Sequence, residues 1–201
     1  MRIFLCLLAC LFVAIPVLAA KPSPRQEPVS NLPQWNDFST RQQRSLQALA
    51  LCEQNPSMCE SREIERWTGL VNDLKSQNKL RQLITVNRWF NRLPYKYDEY
   101  AYGELDYWAD TAQLLSSRGD CEDFALSKYY TLRRLGFSAE ELKVTVVYDQ
   151  EKYTHHAVLM VYTGGTRYML DSMADDMGPS PMEYRYKTIY SFNENTAWFY
   201  Q

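Results

Sequence analysis

The hydrophobic period of this chain changes once, near Leu142, and that change limits the fold more than any other feature. Upstream, apolar residues recur at helical spacing. Leu46, Leu49, Ala50 and Cys52 fall in a first segment that Ser39 or Thr40 can cap, Ile64, Trp67, Val71 and Leu74 in a second, and Leu80, Leu83, Ile84 and Phe90 in a third. A further helix is predicted to start at Asp120 or Cys121, to turn Phe124, Ala125, Leu126, Tyr129, Leu132 and Leu135 inward, and to stop at Gly136. Downstream, Lys143 to Tyr148, His156 to Tyr162 and Arg167 to Asp171 read as strands. No internal repeat is evident. The expectation is an α+β fold, a helical N-terminal half packed on a small antiparallel sheet.

The ends of the chain bound its compartment. Arg2, an apolar run from Ile3 to Leu18 and the small residues Ala19 and Ala20 have the layout of a secretory signal peptide over residues 1–20. Leu7-Leu8-Ala9-Cys10 loosely resembles a lipoprotein box, but the apolar run continues past it. Residues 21–37 are rich in Pro, Ser and charge without periodicity and read as a flexible leader, which leaves 38–201 as one domain. No second apolar run reaches the length of a membrane span. A net charge of −2 offers no basic face for nucleic acid.

Loss of the signal peptide removes Cys6 and Cys10 and leaves Cys52, Cys59 and Cys121. Cys52 and Cys59 can pair across the Asn55-Pro56 turn in an oxidising compartment, with Cys121 as the odd thiol; the alternative is two reduced cysteines at helix ends.

Cys121 lies in Arg118-Gly119-Asp120-Cys121-Glu122-Asp123-Phe124-Ala125, where a glycine turn gives way to a helix. The positive end of a helix dipole favours thiolate, which makes Cys121 a candidate nucleophile. Three neighbouring carboxylates push the other way, so a cation is expected to neutralise them. Asp120, Glu122 and Asp123 offer hard oxygen ligands suited to Ca²⁺, and no Cys/His spacing suggests zinc. The tyrosine-rich span from Leu93 to Trp108 reads as a long ordered loop, and backbone carbonyls or acids from the Asp98 to Asp110 stretch are expected to complete the shell.

The partners of the sulfur come from the strands. Gly164-Gly165 between Val161-Tyr162-Thr163 and Thr166-Arg167-Tyr168 signals a hairpin. With Thr163 facing Thr166, counting back sets Val158 opposite Asp171, so His156 and Asp171 share a face as diagonal neighbours while His155 points away. Singly, each has an ordinary structural explanation: a core histidine, a strand end, a helix cap with a first-turn acid. Together Cys121, His156 and Asp171 are the parts of thiolate acyl transfer, with sulfur attacking a carbonyl, imidazole moving the proton and carboxylate holding the tautomer. The backbone N–H of Cys121 is the natural oxyanion donor, and the Trp108 indole is a candidate second donor or a packing residue.

These residues resemble a known family. Tyr107-Trp108, Gly119-Asp120-Cys121-Glu122-Asp123-Phe124-Ala125, Lys128-Tyr129-Tyr130 and Leu132-Arg133-Arg134-Leu135-Gly136-Phe137, followed by His156-Ala157-Val158-Leu159 and Asp171, are similar to the bacterial transglutaminase-like cysteine proteinases of the LapG type, a branch of the papain-like peptidases. The resemblance implies a periplasmic, calcium-dependent endopeptidase that cleaves a large surface adhesin near its N-terminus, at a pair of alanines, and so releases a biofilm. It also implies control by an inner-membrane receptor that senses cyclic di-GMP. Matched by residue, Cys121 is nucleophile, His156 general base and acid, Asp171 the orienting carboxylate, and Asp120 and Glu122 the calcium-linked acids. Two positions depart from expectation: Ser172-Met173 follows Asp171 where an Asn-Leu-like pair is expected, and Asp175-Asp176 adds acid nearby, as a cation or substrate contact or as a solvated loop. A transglutaminase or acyltransferase would use the same triad with an amine as acceptor, and a noncatalytic calcium-binding interaction module is the reading from another class.

Overall fold

The structure is a computed structural model and describes residues 23–177 and 182–200. The expected signal peptide, its cleavage site and the box at Cys10 lie outside the described residues. No described helix is long and apolar enough to cross a membrane.

Six strands form one antiparallel sheet: β1 (Arg25–Pro28), β2 (Leu142–Asp149), β3 (Thr154–Thr163), β4 (Thr166–Leu170), β5 (Tyr186–Phe192) and β6 (Thr196–Phe199), in the order β1-β6-β5-β2-β3-β4. The helices are α1 (Trp35–Gln54), α2 (Arg62–Leu74), α3 (Lys79–Asn91), α4 (Asp98–Ala101), α5 (Thr111–Ser117), α6 (Cys121–Arg134) and α7 (Met182–Arg185). The α+β expectation holds, with a broader sheet than the three strands read from sequence.

The helix starting at Cys121 lies against β3 and β2 at the centre of the core. Its inward face, with Phe124, Ala125, Leu126, Tyr129 and Leu132 all buried, is the one its spacing predicts. Trp67, fully buried on α2, anchors the helical layer to α6 by donating its indole N–H to Thr131 Oγ1 at 2.9 Å.

Two N-terminal expectations change. The helix expected to begin at Ser39 or Thr40 begins at Trp35 instead, because buried Trp35 and Phe38 extend the stripe of Gln42, Ser45, Leu49 and Cys52 by a turn. Ser39 and Thr40 hydroxyls donate back to Asn36 O at 3.0 and 2.9 Å, a mid-helix use of residues that could have capped. The leader expected over 21–37 is structured from Arg25 on: Arg25–Pro28 adds to β6 as an edge strand and Val29 and Leu32 are buried. Pro28, lacking a backbone donor, sits at the end of an edge strand where none is needed.

The β3–β4 hairpin has the register counted from Gly164-Gly165. Thr163 faces Thr166 and Leu159 faces Leu170, and both glycines take the positive φ (59° and 73°) that a two-residue hairpin turn requires. Of the two alternatives for Cys52 and Cys59, the structure holds the disulfide, closed across a turn in which the Asn55 side chain accepts from Ser57 N. Among the described residues Cys121 is the free cysteine.

Candidate active site

The N-terminus of α6 is built by an exchange of groups between Gly119 and Asp123. Asp123, fully buried, accepts from Asp120 N through Oδ2 at 3.1 Å and from Ala109 N through Oδ1 at 2.6 Å, so it caps the helix and ties it to the preceding segment. A Cβ on Gly119 would lie 2.0 Å from Asp123 Oδ2, which is why the turn needs glycine. Arg118 enters the turn at φ 75° and ψ 179°, a conformation costing a side-chain-bearing residue about 1–3 kcal/mol. Two contacts hold it: Tyr102 OH donates to Arg118 O at 2.6 Å, and Lys96 N donates to Gly119 O at 2.9 Å in a short parallel bridge between Tyr95 and Gly119.

That frame sets Cys121 in a cleft of about 460 Å³ shared with His156, Tyr95, Trp108 and Tyr190. The thiol donates to Glu122 Oε2 at 3.2 Å. Ala157, the residue after His156 on β3, and Tyr95 line the cleft beside the sulfur. Burial, then the charges of Glu122 and Asp120, push the thiol well above its ordinary pKa, and the Ala157 N–H opposes them. Without a neutralising cation, burial and the neighbouring acids together favour the thiol.

His156 is 5% exposed and its Nε2 lies 2.8 Å from Asp171 Oδ1, which leaves Nδ1 as the ring nitrogen not bound to the carboxylate. Asp171 Oδ1 also accepts from Met173 N at 2.9 Å and Oδ2 accepts from Tyr186 OH at 2.7 Å. Burial raises the Asp171 pKa, but the hydrogen bond and charge of His156, with the Met173 and Tyr186 donors, hold it below the usual carboxylate value. His155 is exposed, rests edge-on against Tyr148 and also lines the cleft, so it does not leave the site as the alternation predicts; what sets the two histidines apart is that only His156 is buried and bonded to Asp171. Tyr186 was not legible in the sequence: it opens β5, a strand hidden in an aromatic and polar run.

Trp108 lines the cleft with its ring stacked on Phe192 at 5.0 Å and edge-on to Phe38, so it packs there and also borders the space beside Cys121. Ser172-Met173 turns the chain so that Met173 N reaches Asp171. Asp175 accepts from Asn91 Nδ2 at 3.0 Å and is thereby a contact of α3.

The acids gather as a second cluster beside the sulfur. Ligand-capable oxygens of Asp98, Asp106 and Glu122, and of Asp98, Asp120 and Asp123, lie within 4.8 Å of one another. Asp98 is 2% exposed, with Oδ2 accepting from Tyr107 N at 2.6 Å and Oδ1 bonded to nothing; buried Asp120 Oδ1 is likewise without a partner. Burial, followed by the charges of Asp120 and Asp106 against the Tyr107 N–H, pushes Asp98 up to about 6. Buried oxygens without donors and carboxylates crowded onto one another are what a hard divalent cation would satisfy, so the residues fit Ca²⁺. Asp98 and Asp106 are the loop acids anticipated from sequence. Asp123, with both oxygens occupied by backbone N–H groups, is the least free to ligate.

No curated protein matches the chain by sequence. Among solved structures, calcium-bound LapG of Legionella pneumophila aligns at 27% identity over 75% of this chain and 87% of that one, with a TM-score of 0.67. The EGTA-treated form of the same Legionella pneumophila protein aligns at 26% identity over 76% of this chain and 86% of that one, also at 0.67. Residues 39–200 match the sequence profile of the bacterial transglutaminase-like cysteine proteinases (BTLCP), and the chain belongs to that family of cysteine proteases.

Proposed function

We propose that the protein is a calcium-dependent, LapG-type endopeptidase in which Cys121 is the nucleophile, His156 the general base and acid, and Asp171 the orienting carboxylate. The observation that carries this is the bond of His156 Nε2 to a fully satisfied Asp171 carboxylate, with Cys121 lining the same cleft. With Nε2 held by Asp171, Nδ1 takes the thiol proton as sulfur adds to the scissile carbonyl carbon. The oxyanion forms near the Cys121 backbone N–H. Collapse breaks the C–N bond, the amine leaves with the proton carried by His156, and water then releases the acyl group from sulfur by the same proton path.

Asp98, Asp106, Asp120 and Glu122 would hold calcium, and the bound ion supplies positive charge that offsets the acids opposing thiolate formation. The calcium-bound and EGTA-treated forms of the Legionella relative support this reading. The substrate is the N-terminal region of a large surface adhesin, cut near a di-alanine site to release a biofilm, and an inner-membrane receptor sensing cyclic di-GMP controls access to it; the family resemblance supports both. The disulfide and the N-terminal apolar run support export to the periplasm through a cleavable signal peptide.

The test is incubation of the purified protein with an adhesin N-terminal fragment, with and without calcium, beside a Cys121→Ala variant. Cleavage that needs both calcium and Cys121 is expected; undiminished cleavage by Cys121→Ala would refute the assignment, and incorporation of an added primary amine in place of hydrolysis would redirect it to acyl transfer.

A further inference from the structure

Lys128 stands in the middle of α6 with no solvent exposure and takes no part in the steps above. Burying an ammonium is unfavourable unless its donors are matched, and an apolar side chain would fill the space at less cost. Its Nζ donates to Asn87 Oδ1 at 2.8 Å and Asn91 Oδ1 at 2.7 Å. Asn87 and Asn91 are one turn apart on the same face of α3.

Lysine has three donors and no acceptor, so it decides which end of each amide faces it. With both oxygens turned to the ammonium, both NH₂ groups point at the chain that follows β4. Asn91 Nδ2 donates to Asp171 O at 2.9 Å, Ala174 O at 3.0 Å and Asp175 Oδ1 at 3.0 Å, and Asn87 Nδ2 donates to Ala174 O at 2.9 Å. These groups belong to the turn that carries Asp171, itself closed by Ala174 N on Asp171 O at 3.4 Å.

We infer that Lys128 is a positioning residue for the triad: by orienting Asn87 and Asn91 it clamps the turn from Asp171 to Asp175 and thereby aims the Asp171 carboxylate at the His156 ring. The inference rests on the reading of Cys121, His156 and Asp171 as the catalytic triad. The lysine works through the backbone, since the carboxylate oxygens are taken by His156, Met173 N and Tyr186.

The experiment compares full-length wild type, Lys128→Met, Asn91→Ala and the double variant, with calcium present. Cleavage of the adhesin N-terminal fragment gives kcat and KM, circular dichroism gives the folded fraction, and proton NMR follows the His156 Nε2 proton. Both single variants should lose about tenfold or more in kcat with KM within about twofold, and the double should fall no further than the worse single, because both cut one linkage. The His156 proton should move upfield or broaden in each. A folded Asn91→Ala protein with wild-type kcat and an unmoved proton overturns the inference, and does so even where Lys128→Met does not fold. A wild type that fails to cleave would overturn the triad reading, while the NMR comparison still decides whether the clamp sets the histidine.

Discussion

At the residue scale, Tyr186 and Gly119 make separate demands on the site. Tyr186 donates one of three hydrogen bonds to the Asp171 carboxylate. A hydrogen bond to a charged group contributes about 1.5–3 kcal/mol, so Tyr186→Phe should lower kcat about tenfold or more with little change in KM, as steady-state cleavage would measure. Gly119→Ala forces a methyl group onto the carboxylate that caps α6; loss of about 2–3 kcal/mol is expected, read as a fall in Tm of roughly 5–10 °C. Trp108→Phe separates packing from chemistry: unchanged kcat would leave the Cys121 N–H without help from the indole. Cys121, His156 and Asp171 were all legible in the sequence because local rules place them, a glycine turn before a helix and a two-glycine hairpin. Lys128 could not be read as buried, since its partners are two asparagines 41 and 37 positions away.

At the scale of elements, legibility followed the strength of short-range signals. The hairpin register could be counted because Gly164-Gly165 fixes it. Helix α5 went unread although Asp110-Thr111-Ala112-Gln113 forms a capping box, with Asp110 Oδ1 accepting from Gln113 N at 3.0 Å, because only seven residues follow the cap. Strands β1, β5 and β6 went unread because their faces lack alternation, and β1 in addition finds its partner only in β6, far along the chain. One joint among these elements sets acid behaviour. At the end of β2, Asp149 is buried and accepts from Arg185 at 2.8 and 3.1 Å, and from Glu151 N and Lys152 N. The Arg185 hydrogen bond, against burial, holds its pKa at about 2. A depressed carboxylate contributes stability above its unfolded value, near 4, and loses that contribution as pH falls toward about 2. An Arg185→Ala variant should therefore show a shallower loss of Tm between about pH 4 and pH 2 than wild type, measured by thermal melts across that range.

For the whole molecule, the acid cluster joins two parts of the chain, with Asp98, which opens α4, and Asp106 in the tyrosine-rich loop, and Asp120 and Glu122 at the start of α6. Calcium bound there would hold the loop to the helix, so a chelator should abolish cleavage and lower Tm together, and added calcium should restore both. Full activity in excess chelator would refute the metal role. The class of the fold came from the single change of hydrophobic period, whereas the width of the sheet did not, because it depends on a four-residue edge strand in a segment whose composition reads as leader.

The bond from the Cys121 thiol to Glu122 bears on oxidation as well as on proton transfer. Peroxide attacks thiolates far faster than thiols. While its neighbouring acids are uncompensated, the same contact should shelter this sulfur from irreversible oxidation, and a cation that neutralised them would raise reactivity and vulnerability together.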